Sequence, residues 1–248
     1  MDEYNRREFL HTTVPGFLGV LLALPTLCAT ATRANAQNGR PAKNHAMHWD
    51  AFLEAIAKEA ATQHLDRWDQ ELYLKRISTL ARNLHRDDPV LVKGLAQIKT
   101  KLEQGNVDFE YLEKRLDFAI CLVQLEKNQI ISAHDHPGMT GMILCASGCI
   151  HTRNYDLIKE STKKLSEGKE ETTCQLRLSA EQLLEKNAVT TLTAKARNIH
   201  TLQAKTTTQL VDIFTPPYND KRSKDSRWFT IDEMPRKGTQ NIFDAVVR

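Results

Sequence analysis

The sequence predicts a mainly β domain, a barrel of short strands preceded by an α-helical layer. Apolar residues recur with helical spacing over residues 50–116, and short β-type runs separated by turn signals follow Phe118. The third observation is the motif His134-Asp135-His136. Strand side chains alternate between two faces, so the two histidines project together while Asp135 points away. This arrangement predicts a metal site built into the β scaffold.

The composition is that of an ordinary globular domain. The 248 residues are 41% hydrophobic and 26% charged, with a net charge of +3. The basic residues are scattered, without the interleaved aromatics or concentrated stripe that nucleic-acid binding requires. We therefore expect no nucleic-acid partner, and we expect a monomer.

Residues 1–36 are predicted to be an export signal. Arg6-Arg7 precedes an apolar run over residues 14–27, and Ala34-Asn35-Ala36 provides a cleavage site. The segment 5–10 resembles the twin-arginine export motif. This resemblance implies the twin-arginine export machinery as a partner and a periplasmic or otherwise exported location. An ordinary secretory signal would give the same destination. The apolar run is too short and interrupted for a stable membrane span after cleavage, although its retention as an anchor stays open.

The rest of the chain divides into regions that differ in the spacing of their apolar residues. Phe52, Leu53 and Ile56 mark the apolar stripe of a first helix, and Asp88-Pro89 has the cap and first-turn residues of a later one. The predicted boundaries are a linker at 37–49, a helical N-terminal region at 50–117, a β domain at 118–235 and a C-terminal tail at 236–248.

The β domain is predicted from short apolar and β-branched runs. Many short strands with turns between them are typical of a sandwich or barrel. Residues 179–185 offer a capping-box pattern and are predicted to form one helical turn. The predicted strands are 118–125, 129–132, 141–145, 149–155, 172–178, 189–193, 209–214 and 228–231.

The cysteines leave one pairing open. Ser147-Gly148 is predicted to form a tight hairpin turn, which would bring Cys145 close to Cys149 across a strand pair. A disulfide and two buried thiols are both compatible with this pattern in an oxidising compartment.

A mononuclear metal site needs a third protein ligand, and His200 in Asn198-Ile199-His200 is the best candidate. A double-stranded β-helix, or jelly-roll barrel, with His-x-His in its first half and one more histidine in its second half is the cupin arrangement. Common cupins add a glutamate shortly after the second histidine, whereas here residues 137–141 contain no carboxylate. Three neutral imidazoles would leave the ion its positive charge and open positions for substrate and dioxygen.

The order of the motifs is more specific. Along the chain follow His134-Asp135-His136-Pro137-Gly138-Met139, Gly148, Tyr155-Asp156, Asn198-Ile199-His200 and Asp212-Ile213-Phe214-Thr215-Pro216-Pro217-Tyr218. In this order the sequence resembles the plant cysteine oxidase and cysteamine dioxygenase family. The resemblance implies a cupin fold, Fe(II) bound by His134, His136 and His200, and oxidation of a thiol to a sulfinate by dioxygen.

Two further residues are implied by the same resemblance. Asp212 matches a carboxylate that orients a metal-bound imidazole or accepts a hydrogen bond from substrate, and Tyr218 matches a tyrosine near the mouth of the site. A solvated strand end and a packed aromatic are their simpler interpretations. Where the family commonly has a cysteine followed by aromatics, this chain has Ser226-Arg227-Trp228-Phe229, so a thioether cross-link from that cysteine is excluded at this position.

The leading hypothesis is an exported non-haem Fe(II) thiol dioxygenase. Its substrates would be O2 and either cysteamine or the N-terminal cysteine of a peptide. One alternative is a cupin isomerase, lyase or hydrolase that uses Mn, Zn or Ni. Another is a non-catalytic periplasmic thiol or oxygen sensor with the helical layer as its partner surface.

Overall fold

The structure is a computed structural model that describes residues 46–103, 109–165 and 170–248. The predicted export signal at 1–36 and most of the predicted linker lie outside the described residues. Residues 46–49 belong to the folded unit, since Met47 forms a β-bridge with Leu84 and Trp49 is buried at the start of the first helix. No helix in these three described ranges is long and apolar enough to cross a membrane.

The helices come first and the strands follow. The helices are α1 (Trp49–Ala60), α2 (Gln70–Asn83), α3 (Pro89–Glu103) and, late in the chain, α4 (Asp220–Asp225). The strands of the described chain are β1 (Phe109–Lys114), β2 (Ala119–Leu125), β3 (Ile130–His134), β4 (Thr140–Ser147), β5 (Cys149–Lys164), β6 (Glu170–Glu185), β7 (Val189–Leu192), β8 (Ile199–Ala204), β9 (Thr208–Thr215), β10 (Phe229–Ile231) and β11 (Ile242–Val247).

Two antiparallel sheets form the β domain. One has the strand order β1-β2-β9-β4-β7, and the other has the order β10-β11-β6-β5-β8-β3. The chain passes repeatedly from one sheet to the other, which gives the nearly closed barrel of a cupin double-stranded β-helix. The predicted fold class, mainly β with helices before the barrel, is confirmed.

The helical layer covers the outer face of the five-stranded sheet. Phe52 and Ile56 of α1, together with Ile77 of α2, share one buried core with Leu122 of β2 and Ile213 of β9. This packing buries the apolar stripe that predicted the helices. The remaining face of each central strand must then point into the barrel, because strand side chains alternate.

The caps explain where the helices begin. Asp69 accepts a hydrogen bond from the backbone N–H of Leu72 at the start of α2. Asp88 accepts from the N–H of Val90 at 3.0 Å, as the Asp88-Pro89 signal predicted, and also from the N–H of Trp49 at 2.9 Å. The second bond ties the start of α1 to the start of α3.

Three segments differ from their predicted structure. Residues 179–185 form the end of β6, where Ala180 lies opposite Asn154 of β5, so long-range strand pairing overrides the local capping pattern. The predicted helical region ends in strand β1, which pairs with β2. The predicted C-terminal tail contains β11, which pairs with both β6 and β10, so the sheet extends past the predicted boundary at residue 235.

The predicted hairpin at Ser147-Gly148 is wrong. Strands β4 and β5 belong to different sheets, and the Ser147-Gly148 link carries the chain from one to the other. Gly148 has a φ of +82°, and a Cβ added there would lie 2.3 Å from the carbonyl oxygen of Thr207. Cys145 and Cys149 are free thiols, and burial raises the pKa of the Cys145 thiol to about 11.

A buried hydrogen bond joins the helical layer to the barrel at the end of β9. The Tyr73 hydroxyl of α2, 2% exposed, lies 2.5 Å from Oγ1 of Thr215 at the end of β9. We expect Tyr73→Phe to lower the free energy of unfolding by about 1 to 3 kcal/mol, because the Thr215 hydroxyl loses its partner. Urea denaturation measures this change. A Tyr73→Phe/Thr215→Val double variant should recover part of the loss, whereas additive losses would contradict the pairing.

Candidate metal centre

Strand pairing brings the three predicted histidines together. His134 ends β3 and lies directly opposite His200 of β8 in the ladder. His136 follows His134 by two residues in the turn that leads to β4. His136 and His200 are 3% and 1% exposed, and His134 is partly buried. The site therefore lies at the end of the six-stranded sheet and faces the barrel interior.

The imidazole nitrogens converge at distances that suit one ion. Nε2 of His200 lies 3.1 Å from Nε2 of His136 and 3.3 Å from Nε2 of His134, and the three ligand atoms all lie within 4.8 Å of one another. A first-row divalent ion binds imidazole nitrogen at about 2.1 Å, so two such ligands at right angles are about 3 Å apart. These residues therefore fit a metal ion held by three imidazoles.

Burial and hydrogen bonding prepare the ring nitrogens for this role. Burial lowers the pKa of His134, and it lowers the pKa of His200 well below its ordinary value, with the neighbouring His134 adding to the effect. Both rings are therefore neutral near pH 7. Nδ1 of His134 donates to the carbonyl oxygen of Ser132 at 2.9 Å, which leaves the Nε2 lone pair directed at the other rings.

Three residues orient His136. Its Nδ1 lies 2.5 Å from the Tyr218 hydroxyl, and its ring stacks on Phe214 with centroids 5.3 Å apart. Its backbone N–H donates to Oδ1 of Asn198 at 2.8 Å, and the Asn198 amide in turn donates to the carbonyl of Thr193 at 2.7 Å. Sequence reasoning missed the role of Asn198. Its i, i+2 spacing from His200 was the available signal.

The helical layer also contacts the loop that precedes β8 and contains Asn198. Residues 193–198 precede β8, and the backbone N–H of Ala194 donates to Oε1 of Gln70 at 3.1 Å. Arg197 forms an ion pair with Glu71 at 2.6 Å. Both partners belong to the first turn of α2, so α2 braces the loop that positions Asn198 and His200.

Asp212 lies inside the barrel but does not hydrogen-bond to the histidines. Its neighbours Val211 and Ile213 pack toward the helices, so the Asp212 side chain points inward, beside Cys121 on β2. It is 5% exposed, and burial raises its pKa well above the ordinary value. Within the described chain neither Oδ1 of Asp212 nor Nδ1 of His200 has a hydrogen-bond partner. The predicted carboxylate is thus a buried interior group rather than a solvated strand end.

Trp228 is a contact that sequence reasoning did not predict. Its indole stacks on the His134 ring with centroids 4.8 Å apart and an interplanar angle of 22°. The two residues also form an isolated antiparallel β-bridge. The segment from Tyr218 to Trp228, which includes α4, therefore contacts a candidate ligand at each end.

Tyr218→Phe tests the hydroxyl contact with His136. We expect the variant to bind metal about tenfold more weakly, because partners of a ligand's free ring nitrogen hold its orientation and typically contribute 10- to 100-fold in affinity. Competition with a chromophoric chelator measures the change. Tyr155→Phe, a buried tyrosine in the core of the six-stranded sheet, should leave metal affinity unchanged. If Tyr218→Phe and the parent protein bind metal with equal affinity, Tyr218 does not contribute to metal binding.

The chain is similar to known proteins both in sequence and in structure. Plant cysteine oxidase 2 from Arabidopsis thaliana is 24% identical over 112 residues, which cover 45% of this chain and 40% of the plant protein. Among solved structures, KdgF from Halomonas sp. is 10% identical with a TM-score of 0.33 over 46% of this chain and 82% of its own. An RmlC-like cupin from Desulfovibrio desulfuricans is 14% identical with a TM-score of 0.32, over 45% and 83%.

A family model covers most of the folded unit. The model described as PCO_ADO matches residues 74–245, a span that begins in α2 and ends within β11. It contains the three clustered histidines, Asp212 and Tyr218, and it amounts to more than two thirds of the sequence. The chain therefore belongs to the PCO_ADO family.

Proposed function

We propose that the protein is an iron-dependent thiol dioxygenase that adds both atoms of O2 to a thiol and yields a sulfinate. The observation that carries the proposal is the cluster of three imidazoles, His134, His136 and His200, with no carboxylate among them. Membership of the PCO_ADO family supports the reaction class. The overall reaction, RSH + O2 → RSO2⁻ + H⁺, balances without any further oxidant or reductant.

The bound ferrous ion would lower the pKa of a coordinated thiol and hold sulfur and dioxygen next to each other. The protein's part is to hold the imidazoles and exclude water. Cys121, Met139 and Phe214 form a buried apolar cluster against which Tyr218 packs. This side of the site is therefore apolar. Asp212 is a buried interior carboxylate, and we propose that it orients an imidazole of the cluster or holds a proton during the reaction.

The proposed substrates are cysteamine or the N-terminal cysteine of a peptide. An amine two carbons from the sulfur could act as a second ligand and fix the thiol in place, which favours aminothiols over bare thiols. The relative from Arabidopsis is by its name a cysteine oxidase, which supports the same substrate class.

Oxygen uptake tests the proposal. Protein purified without added metal is first analysed for its metal content, because Mn, Zn or Ni would favour an isomerase, lyase or hydrolase instead. The protein is then loaded with Fe(II) anaerobically and mixed with cysteamine, a cysteine-initiated peptide and a matched serine-initiated peptide. We expect oxygen consumption with a thiol, and a product mass increased by two oxygen atoms. If iron-loaded protein consumes no oxygen with any thiol, the dioxygenase proposal fails.

We also propose that the protein is exported through the twin-arginine route. The proposal rests on Arg6-Arg7, the apolar run at 14–27 and the Ala34-Asn35-Ala36 site. Replacing both arginines by lysine should retain the unprocessed precursor in the cytoplasmic fraction. Unchanged processing of that variant would favour an ordinary secretory signal.

A further inference from the structure

Asp135 is a buried carboxylate that lies between two candidate metal ligands in the sequence, and it pairs with Arg227 rather than joining the three imidazoles. It is 5% exposed, and its carboxylate is fully engaged by one residue. Oδ1 accepts the backbone N–H of Arg227 at 2.7 Å, and Oδ2 accepts Nε of the same arginine at 2.8 Å. The backbone N–H of Asp135 donates to the Arg227 carbonyl at 3.1 Å. These contacts fasten the segment before β10 to the His-x-His turn.

The next residue along that segment touches the metal site directly. Because Arg227 is fixed, Trp228 is presented to the ring of His134, on which its indole stacks at 4.8 Å. Arg227 is itself held from the other side, since its Nη1 donates to Oε2 of Glu160 on β5 at 2.6 Å. The arginine therefore has two anchors, one of which lies between His134 and His136.

We propose that Asp135, Arg227 and Trp228 form a clamp that positions His134 for metal binding. The hydrogen bond from His134 Nδ1 to Ser132 selects the tautomer, but a single hydrogen bond does not by itself fix the plane of the ring. The stacked indole supplies this second constraint on the plane of the ring. All three are positioning residues. The inference rests on the proposed function only in that the three histidines bind a metal.

The arrangement also explains why an arginine occupies position 227. A guanidinium can engage two anionic partners at fixed angles with separate N–H groups, whereas a lysine ammonium cannot reproduce that fork. Asparagine at position 135 could accept only one of the two hydrogen bonds that Arg227 donates there, and Glu160 would remain as the anionic partner of the arginine. Loss of Asp135 should therefore move Arg227, and with it Trp228, rather than only delete a surface charge.

Metal-free protein titrated with Co²⁺ under nitrogen tests the clamp. Affinity is measured by chelator competition, and the fluorescence of Trp49, Trp68 and Trp228 reports proximity, because a bound Co²⁺ quenches a nearby indole. We expect Trp228→Phe, which keeps a stacking ring, to stay within about threefold of the parent affinity and to lose most of the quenching. Trp228→Ala, Asp135→Asn and Arg227→Lys should each weaken binding about tenfold or more.

A double variant separates a clamp from independent effects. Asp135→Asn/Trp228→Ala should bind Co²⁺ no more weakly than the weaker single variant, because both changes remove the same support. Trp68→Phe, whose indole donates to Thr62 in the helical layer, should change neither affinity nor most of the quenching. Circular dichroism establishes that each variant is folded. If Asp135→Asn does not fold, Arg227→Lys/Trp228→Ala serves as the double variant.

Several results would overturn the inference. They are an unchanged affinity of Trp228→Ala, additive losses in the double variant, or a parent protein that binds no Co²⁺. The proposed function fails on a different result, namely a parent protein that binds metal with the clamp effects present but oxidises no thiol when loaded with iron. The two failures are therefore distinguishable.

Discussion

Replacement of His200 by alanine is expected to abolish tight metal binding and, with it, thiol oxidation. His200 contributes the nitrogen that lies nearest to both other candidate ligands, at 3.1 and 3.3 Å. Without it, His134 and His136 remain as a two-imidazole site, which holds a divalent ion only loosely. We expect iron content after desalting to fall to background, measured by elemental analysis of anaerobically loaded protein. His134→Ala and His136→Ala should show the same loss.

His151→Ala is the matched control for these variants. His151 lies on β5 and pairs with Oε1 of Glu181 at 2.9 Å, and it does not belong to the clustered imidazoles. This variant should keep the iron content and the rate of the parent protein. Retention of iron in all three of the other alanine variants would contradict the assignment of the triad.

The residues that come together at the centre could be predicted because each carries a local signal. Strand alternation predicted that His134 and His136 share one side, and the order of the motifs pointed to His200 as the third member. The two side chains do converge, although β3 ends at His134 and His136 lies in the turn that follows. The structure adds the reason for their proximity, since β3 and β8 are neighbours and His134 lies opposite His200. Their role as metal ligands stays a prediction.

Contacts between segments that are distant along the chain could not be predicted from the sequence. Trp228 reaches His134 across 94 positions of the chain (228 − 134) through the pairing of Asp135 with Arg227, and nothing local to Trp228 signals that contact. Residues 179–185 show the opposite error. A valid local capping signal was present, but pairing with β5 determined the conformation. Strand β11 was also missed, and the structure shows it between β10 and the distant strand β6.

Asp212 combines burial with an unpaired oxygen in a way that a purely structural residue rarely does. The folded barrel has little means to stabilise an ionised carboxylate there, and burial raises its pKa. Below the ordinary pKa of an unfolded aspartate, about 3.9, the group is neutral in both states and does not affect stability. Above that value the unfolded chain releases its proton more readily than the folded protein, so Asp212 destabilises the fold increasingly as pH rises toward its folded-state pKa.

Asp212→Asn is therefore expected to stabilise the protein while impairing the reaction. Asparagine has nearly the same shape but cannot ionise, so metal-free Asp212→Asn should unfold at a higher temperature than the parent protein at about pH 7.5, with the difference narrowing toward about pH 4. If the carboxylate orients an imidazole or holds a proton during oxidation, oxygen uptake should slow about tenfold or more at unchanged iron content. Calorimetry and the oxygen electrode measure the two effects separately. A more stable variant with parental rates would make Asp212 a buried acid without a catalytic role. A slower variant without the gain in stability would contradict the account of its burial.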